Sequence, residues 1–330
     1  MKDILNQLFE HRKLTKAQSK KILIEISEGK YNNAQVAVFI GVFMMRTVSV
    51  DELRGFKEAL LELCIPVDLE GIESTDLCGT GGDGKNTFNI STTSSFVVAG
   101  AGYKVSKHGN YGVSSLCGSS NVLEHLGYQF SNNVDKLKKQ LDASNICFFH
   151  APLFHPAMKF VAPIRRALGV KTFFNMLGPL VNPARPTHQA VGVFSLELAR
   201  LYQYLFEDES IKYAVIHALD GYDELSMTGD ALVIKKDTEK ILAPAHFNLP
   251  QYEPSELFGG QSIQEAANIL VLILDNNSTE AQKNVVIANT AVAINNFESN
   301  KTLEECCAIA KESIESGAAK KSFEKLIELS

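Results

Sequence analysis

Residues 76–92 read Asp76-Leu77-Cys78-Gly79-Thr80-Gly81-Gly82-Asp83-Gly84-Lys85-Asn86-Thr87-Phe88-Asn89-Ile90-Ser91-Thr92. Four glycines occupy six positions, and hydroxyl and amide side chains follow directly before an apolar run. Glycine is favoured where the backbone takes φ > 0 or comes close to a ligand. A turn whose amides point at the start of a helix is a ready anion site. The stretch therefore predicts a strand, a phosphate-holding loop and then a helix.

Three phosphate motifs overlap here, so spelling alone does not choose among them. Gly79, Gly81 and Gly84 form G-x-G-x-x-G, the dinucleotide fingerprint, which needs an acidic residue roughly 20 positions on for the ribose. No Asp or Glu lies between Asp83 and Glu124, so that reading fails. Gly79, Gly84 and Lys85 also spell most of a P-loop, but Asn86 stands where Ser or Thr would meet magnesium. Asp83 would moreover repel a phosphate unless a metal intervened. A glycine-rich turn with no ligand would explain the glycines, but not Asn86, Thr87, Asn89, Ser91 and Thr92.

Length and charge narrow the class. The chain has 330 residues, 45% of them hydrophobic and 21% charged, as in an ordinary soluble enzyme of two domains or one large α/β unit. A net charge of -6 argues against nucleic acid as a main partner. The N-terminal MKDILNQLFEHRK is charged and amphipathic rather than a signal peptide. The longest apolar run, Val36 to Met45, is ten residues, too short to span a membrane. Six cysteines without a C-x-x-C pair read as reduced thiols of a cytoplasmic protein. Cys78, beside the glycine loop, is open to a reactive or a packing role.

Residues 1 to about 64 read as successive helices. Thr15 with Gln18 and Ser49 with Glu52 are capping boxes, and Ala34 to Met45 is apolar nearly all round. Pro66 closes a small helical domain, 1–66, to which helices within about 160–190 could belong. From Ser74 the pattern alternates. Strands are expected at Thr75–Cys78, Tyr103–Ser106, Ile146–Phe149, Ala190–Phe194 and Tyr213–Ala218, with helices between them, including one from Ala157 to Leu168. Val233–Ala243, broken at Asp237-Thr238, reads as an antiparallel ribbon, and the tail from Ser262 is helical. Strand–helix alternation predicts a mostly parallel central sheet covered by helices across 67–330.

Other clusters add chemistry. Lys107-His108-Gly109-Asn110 follows a strand end, where α/β sheets bind ligands. Tyr111-Gly112-Val113-Ser114-Ser115 and Gly118-Ser119-Ser120 extend it into a second donor-rich loop. In isolation it could be merely a solvated polar loop. Asp223-Glu224, after the strand Tyr213–Ala218, suits Mg2+, which uses one or two carboxylates plus substrate phosphates. A solvated acidic turn fits those two residues equally well. Arg165 and Arg166 each offer a planar fork for a carboxylate, or a surface charge. A planar apolar substrate would want one arginine and an apolar cover such as Pro179.

In this order, GTGGD (79–83), NTFNIST (86–92), KHGN (107–110), HPAMKFVAPIRRALG (155–169), NMLGPLVNP (175–183) and DELSMTG (223–229) closely resemble the anthranilate phosphoribosyltransferase family, within the nucleoside phosphorylase-like phosphoribosyltransferases. The likeness runs through the tail at Asn289-Thr290-Ala291. It implies a small helical domain packed against a large α/β domain, and a homodimer joined through the helical domains. It also implies transfer of the phosphoribosyl group of 5-phosphoribosyl 1-diphosphate to anthranilate, in tryptophan biosynthesis. By this likeness Gly79, Gly82, Asp83, Thr87 and Asn89, Ile90, Ser91 and Thr92 surround the diphosphate-bearing ribose. Lys107, His108, Gly109, Asn110, Tyr111, Gly112, Val113, Ser114, Ser115 and Ser119 complete that site. Ser91, Asp223 and Glu224 would manage two Mg2+ ions. Gly79, Asn110 and Arg165, with His108 and Pro179, would receive anthranilate.

Two departures stand out. Tyr111-Gly112 replaces a common Arg-Ala, removing a cation near a polyanion, and Asn121 replaces a common Asp. The chemistry itself asks for no nucleophile and no general base, since anthranilate's arylamine is unprotonated at neutral pH. Charge stabilisation by Mg2+, Lys107 and loop amides should carry the rate. A pyrimidine nucleoside phosphorylase of the same fold is the nearest rival. A non-catalytic paralogue binding nucleotides or nucleic acid is another, expected to lack the acidic pair and gain basic surface.

Overall fold

The computed structural model describes residues 1–112 and 117–330. The chain forms two compact units, Met1–Val67 with Ala151–Arg185, and Asp68–His150 with Pro186–Ser330.

The first unit is helical. Lys2–Phe9, Lys16–Ser27, Asn33–Met45 and Val50–Leu63 form its main helices, and Thr15, Asn32 and Ser49 each cap one through a reciprocal box with Gln18, Gln35 and Glu52. Glu52 is wholly buried, yet its charge is met by the two terminal guanidinium nitrogens of Arg46, at 2.5 and 2.9 Å, and by the Leu14 N–H at 2.9 Å. Such bidentate pairing is what makes a buried carboxylate tolerable. Phe39, Phe43, Phe56 and Phe173 stack edge and face at the centre, so residues beyond 150 complete this core.

One helix differs from the sequence reading. Ala157–Leu168 is not continuous: a 3-10 turn, Pro156–Lys159, is followed by a separate helix, Ala162–Leu168. Pro163 is the cause. It sits in the first turn of the second helix, where its missing N–H is harmless, but its ring would strike the carbonyl of Lys159 in a continuous helix.

The second unit is built on seven strands: β1 (Thr75–Gly79), β2 (Val105–Gly109), β3 (Ile146–His150), β4 (His188–Gly192), β5 (Lys212–Ala218), β6 (Ala231–Lys235) and β7 (Thr238–Leu242). Their order is β3-β2-β1-β4-β5-β6-β7. The first five pair in parallel and the last two add an antiparallel ribbon, turning where the sequence breaks at Asp237. Parallel strands are buried on both faces, and β3 and β4 are buried along their whole length. Edge strand β7 carries exposed Glu239 and Lys240, charges that discourage pairing with another chain. Helix Ile90–Gly100 packs on β1, and Glu280–Phe297 packs on β4 and β5.

The chain runs outward from β1 through β2 to β3, then returns to place β4 on the other side of β1. That reversal opens a crevice at the carboxyl ends of β1 and β4, where open α/β sheets bind ligands. No helix among the described residues is long and apolar enough to cross a membrane.

Candidate active site

The crevice begins with two missing side chains. Gly79 ends β1 and Gly192 ends β4, and the two are partners in the strand register. A methyl built on Gly79 would overlap the Asp223 carboxylate, and one on Gly192 would overlap the Asp223 carbonyl. The glycine pair leaves a notch, and the turn carrying Asp223 and Glu224 drops into it. Asn289, inside the buried helix Glu280–Phe297, fixes that turn: its Oδ1 accepts the Leu225 N–H at 3.1 Å and its Nδ2 donates to the Leu225 carbonyl at 2.8 Å.

The glycine loop closes over this turn. Gly81 N–H donates to Asp223 Oδ2 at 2.7 Å, and Ser91 N–H, in the first turn of helix Ile90–Gly100, donates to Glu224 Oε1 at 3.0 Å. Two of the amides expected to cradle an anion are therefore already engaged by carboxylates. Asp83 contributes a third negative charge beside Asp223. Burial, then the charge of Asp83, pushes the Asp223 carboxyl up to about 7. Burial and the neighbouring Asp223 raise Glu224 as well. Carboxylates so disfavoured as anions gain most from a cation. Behind them lies a cavity of about 20 Å³, lined by Cys78, Ser91, Asp223, Glu224 and Asn289 among others, which is room for one water.

The remaining loop residues hold the frame. Thr87 forms a bridge with Phe258. The Asn86 carbonyl accepts the Gly259 N–H at 2.8 Å, and its side-chain Nδ2 donates to the Gly260 carbonyl at 3.0 Å. Asn89 Nδ2 donates to the Cys117 carbonyl at 3.2 Å. Ile90 and Thr92 are buried, and Gly82 takes a left-handed φ of 81° that other residues rarely adopt.

Lys107 is 2% exposed on β2 and donates to the Leu77 carbonyl at 2.5 Å. Burial lowers its pKa, against the pull of Asp76, Cys78 and Glu224. Its charge thus sits beneath the crevice, behind the acidic turn. His108 is buried, and its N–H donates to Asp76 at 3.2 Å. Gly109 leaves room for Ser119 and Phe148.

The second loop is held differently. Asn121 Oδ1 accepts both the Gly112 N–H at 2.9 Å and the Gly118 N–H at 3.0 Å. Asn110 is exposed; its side chain accepts the Tyr111 N–H and its carbonyl the Ser119 hydroxyl. The Tyr111 hydroxyl donates to Glu124 at 3.2 Å, and its ring meets His150 edge-on. Val113, Ser114 and Ser115 lie outside the described residues.

Arg165 and Pro179 belong to the helical unit. Arg165 is half-buried, over the Phe174 ring and bonded to Asn175 at 3.2 Å, whereas Arg166 is exposed. Pro179 is buried in a 3-10 turn, Gly178–Leu180. Gly192 and Asn289 are the frame residues that sequence reasoning does not place at the site. Of these, Asn289 carries a usable signal, as an amide within the largely apolar stretch 285–294. Among the described residues, no group of three or more His, Cys, Asp or Glu side chains is arranged to hold a metal by itself.

The helical bundle domain of a glycosyl transferase family matches residues 2–64, and the a/b domain of that family matches residues 72–320. Anthranilate phosphoribosyltransferase of Christiangramia forsetii is 54% identical over 330 residues, covering 100% of this chain and 99% of the relative. The enzyme of that name from Bacteroides thetaiotaomicron is 53% identical over 329 residues, with 100% and 99% covered. Among solved structures, anthranilate phosphoribosyltransferase from Saccharomyces cerevisiae in complex with PRPP and Mg superposes with a TM-score of 0.92 at 28% identity, covering 98% of this chain and 96% of that one. The enzyme from Thermus thermophilus gives 0.91 at 28% identity, covering 98% of both chains.

Proposed function

The chain belongs to the anthranilate phosphoribosyltransferase family, and from that premise we propose how its residues divide the work. The enzyme transfers the phosphoribosyl group of 5-phosphoribosyl 1-diphosphate to the amine of anthranilate, releasing pyrophosphate, in tryptophan biosynthesis.

One observation carries the reading of the site: two carboxylates, buried Asp223 and half-buried Glu224, take the amides of Gly81 and Ser91. A diphosphate could not approach these amides directly, because it would meet negative charge first. A cation between them resolves the conflict. Asp223, Glu224 and Ser91 would hold Mg2+, two ions in our reading, with substrate phosphates completing the shell. When bound, Mg2+ neutralises the diphosphate and stabilises the charge that develops on it as it leaves. Gly79, Gly82, Asp83, Thr87 and Asn89 to Thr92 line the ribose and diphosphate from one loop. Lys107 to Gly112, with Ser119, line them from the other. Lys107 supplies a fixed positive charge behind the carboxylates rather than a hydrogen bond to phosphate. For anthranilate our candidates are Arg165 and Pro179 in the helical unit, the guanidinium pairing with its carboxylate, and Asn110, His108 and Gly79 in the α/β unit.

The residues then need only to orient and to balance charge. Breaking the bond to C1 of ribose builds oxocarbenium character, and holding the amine close to that carbon supplies much of the acceleration. No side chain is asked to take a proton before attack. We also propose a homodimer through the helical unit, supported by exposed Phe9, Val38, Met44 and Met45. The six free cysteines suit a reducing cytoplasm.

Following anthranilate fluorescence with 5-phosphoribosyl 1-diphosphate and Mg2+ tests the assignment. Loss of the signal with release of pyrophosphate is expected. Phosphorolysis of uridine or thymidine in its place would overturn it. Arg165→Ala should raise the KM for anthranilate more than that for the ribose substrate.

A further inference from the structure

The glycine loop has a fastening that the assignment above does not use. At its start Gly81 is bonded to Asp223, and at its end Asn86 is bonded to Gly259 and Gly260. Between these anchors Asp83 accepts the Lys85 N–H at 3.0 Å, and the exposed Lys85 side chain reaches across to the acidic turn. Its ammonium stands 4.6 Å from the centre of the Tyr222 ring. Tyr222 immediately precedes Asp223, is 5% exposed, and is fixed by its carbonyl accepting the Ala218 N–H at 3.1 Å. Gly221, with φ of 97°, lies under the lysine stem: a Cβ built there would be 3.9 Å from Lys85 Cε, an ordinary contact.

We propose that Lys85 is a positioning residue. By clamping the crest of the glycine loop onto Tyr222, it sets Asp83 and the loop amides relative to Asp223 before the diphosphate arrives. This rests on the proposed role of the acidic turn. The contact is electrostatic, a cation over the face of a ring, so charge and ring are both required. A lysine lying there only to cover apolar surface would need its stem alone.

The variants separate these possibilities. Lys85→Met keeps the stem and removes the charge, whereas Lys85→Arg keeps the charge. Tyr222→Phe keeps the ring and Tyr222→Leu removes it. At limiting Mg2+, Lys85→Met should raise the KM for 5-phosphoribosyl 1-diphosphate about two- to fivefold, the size of an exposed cation–π contact. The KM for anthranilate and the Tm should stay unchanged. Lys85→Arg and Tyr222→Phe should behave as the parent protein, and Lys85→Met with Tyr222→Leu should be no worse than Tyr222→Leu alone. A Lys85→Met variant indistinguishable from the parent, or a Lys85→Arg variant equally impaired, would overturn the clamp. Calorimetric titration with magnesium pyrophosphate reads the same difference without turnover. A parent protein that binds it but transfers nothing would therefore defeat the function and not the clamp.

Discussion

The two donor-rich loops follow neighbouring parallel strands, β1 and β2, but are held by opposite kinds of partner. In the glycine loop, the Gly81 and Ser91 amides rest on the carboxylates of Asp223 and Glu224. In the loop after β2, the Gly112 and Gly118 amides converge on the neutral carbonyl of Asn121. Both arrangements satisfy backbone donors that burial would otherwise penalise. They differ in what they ask of a ligand. The first stores negative charge and favours a cation, while the second sets the spacing of a loop without charge.

The largest test of that contrast removes the stored charge. Asp223→Asn with Glu224→Gln keeps the shape of the turn and should lower kcat/KM by about 100-fold or more, most severely at low Mg2+. Turnover at limiting Mg2+ equal to that of the parent would show the carboxylates to be structural.

A smaller effect should follow at the neutral loop. Asn121→Leu strands two N–H groups, each costing about 1–3 kcal/mol when buried, and should raise the KM for the ribose substrate about tenfold. Asn121→Asp restores an acceptor and should recover most of the loss. If Asp and Leu fail alike, the acceptor is not what the loop needs.

The smallest effect is on stability. Asp223 has a folded pKa of about 7, above the usual carboxylate value of about 4. Between those limits the folded protein holds a proton that the unfolded chain has lost, so stability falls as pH rises through that window. Melting of the ligand-free protein should drop by a few degrees from pH 5 to pH 7, at about 1 kcal/mol per pH unit. Asp223→Asn with Glu224→Gln should flatten the profile, since burial raises both carboxyls. A flat profile in the parent would mean the charge is already balanced.

Much of the fold is legible in the sequence because its signals are local. Capping boxes at Thr15 and Ser49 mark helix starts directly, and β6 and β7 turn where the sequence breaks. The split at Pro163 escapes a reading that weighs the helical pattern of 157–168 without the ring's clash one turn back. At the crevice, Gly79 and the Asp223-Glu224 pair announce themselves by composition. Gly192 does not, and Asn289 shows only as an amide in an apolar stretch, because their roles arise from the meeting of β4 and a late helix with a turn far away in the chain. The double use of Asn121 Oδ1 likewise depends on the fold of two glycines around it. Local pattern reveals which groups are chemical; the pairing of distant elements reveals what holds them.

The notch formed by Gly79 and Gly192 also bears on how this enzyme could change. Each position is defined by atoms it must not carry, so even alanine, the smallest possible replacement, collides with the Asp223 turn. Laboratory evolution of substrate preference therefore has two closed addresses at the floor of the crevice and an open one on its rim, at exposed Asn110. Libraries that spare the floor and diversify the rim would explore new acceptors while keeping the turn that carries the acidic pair.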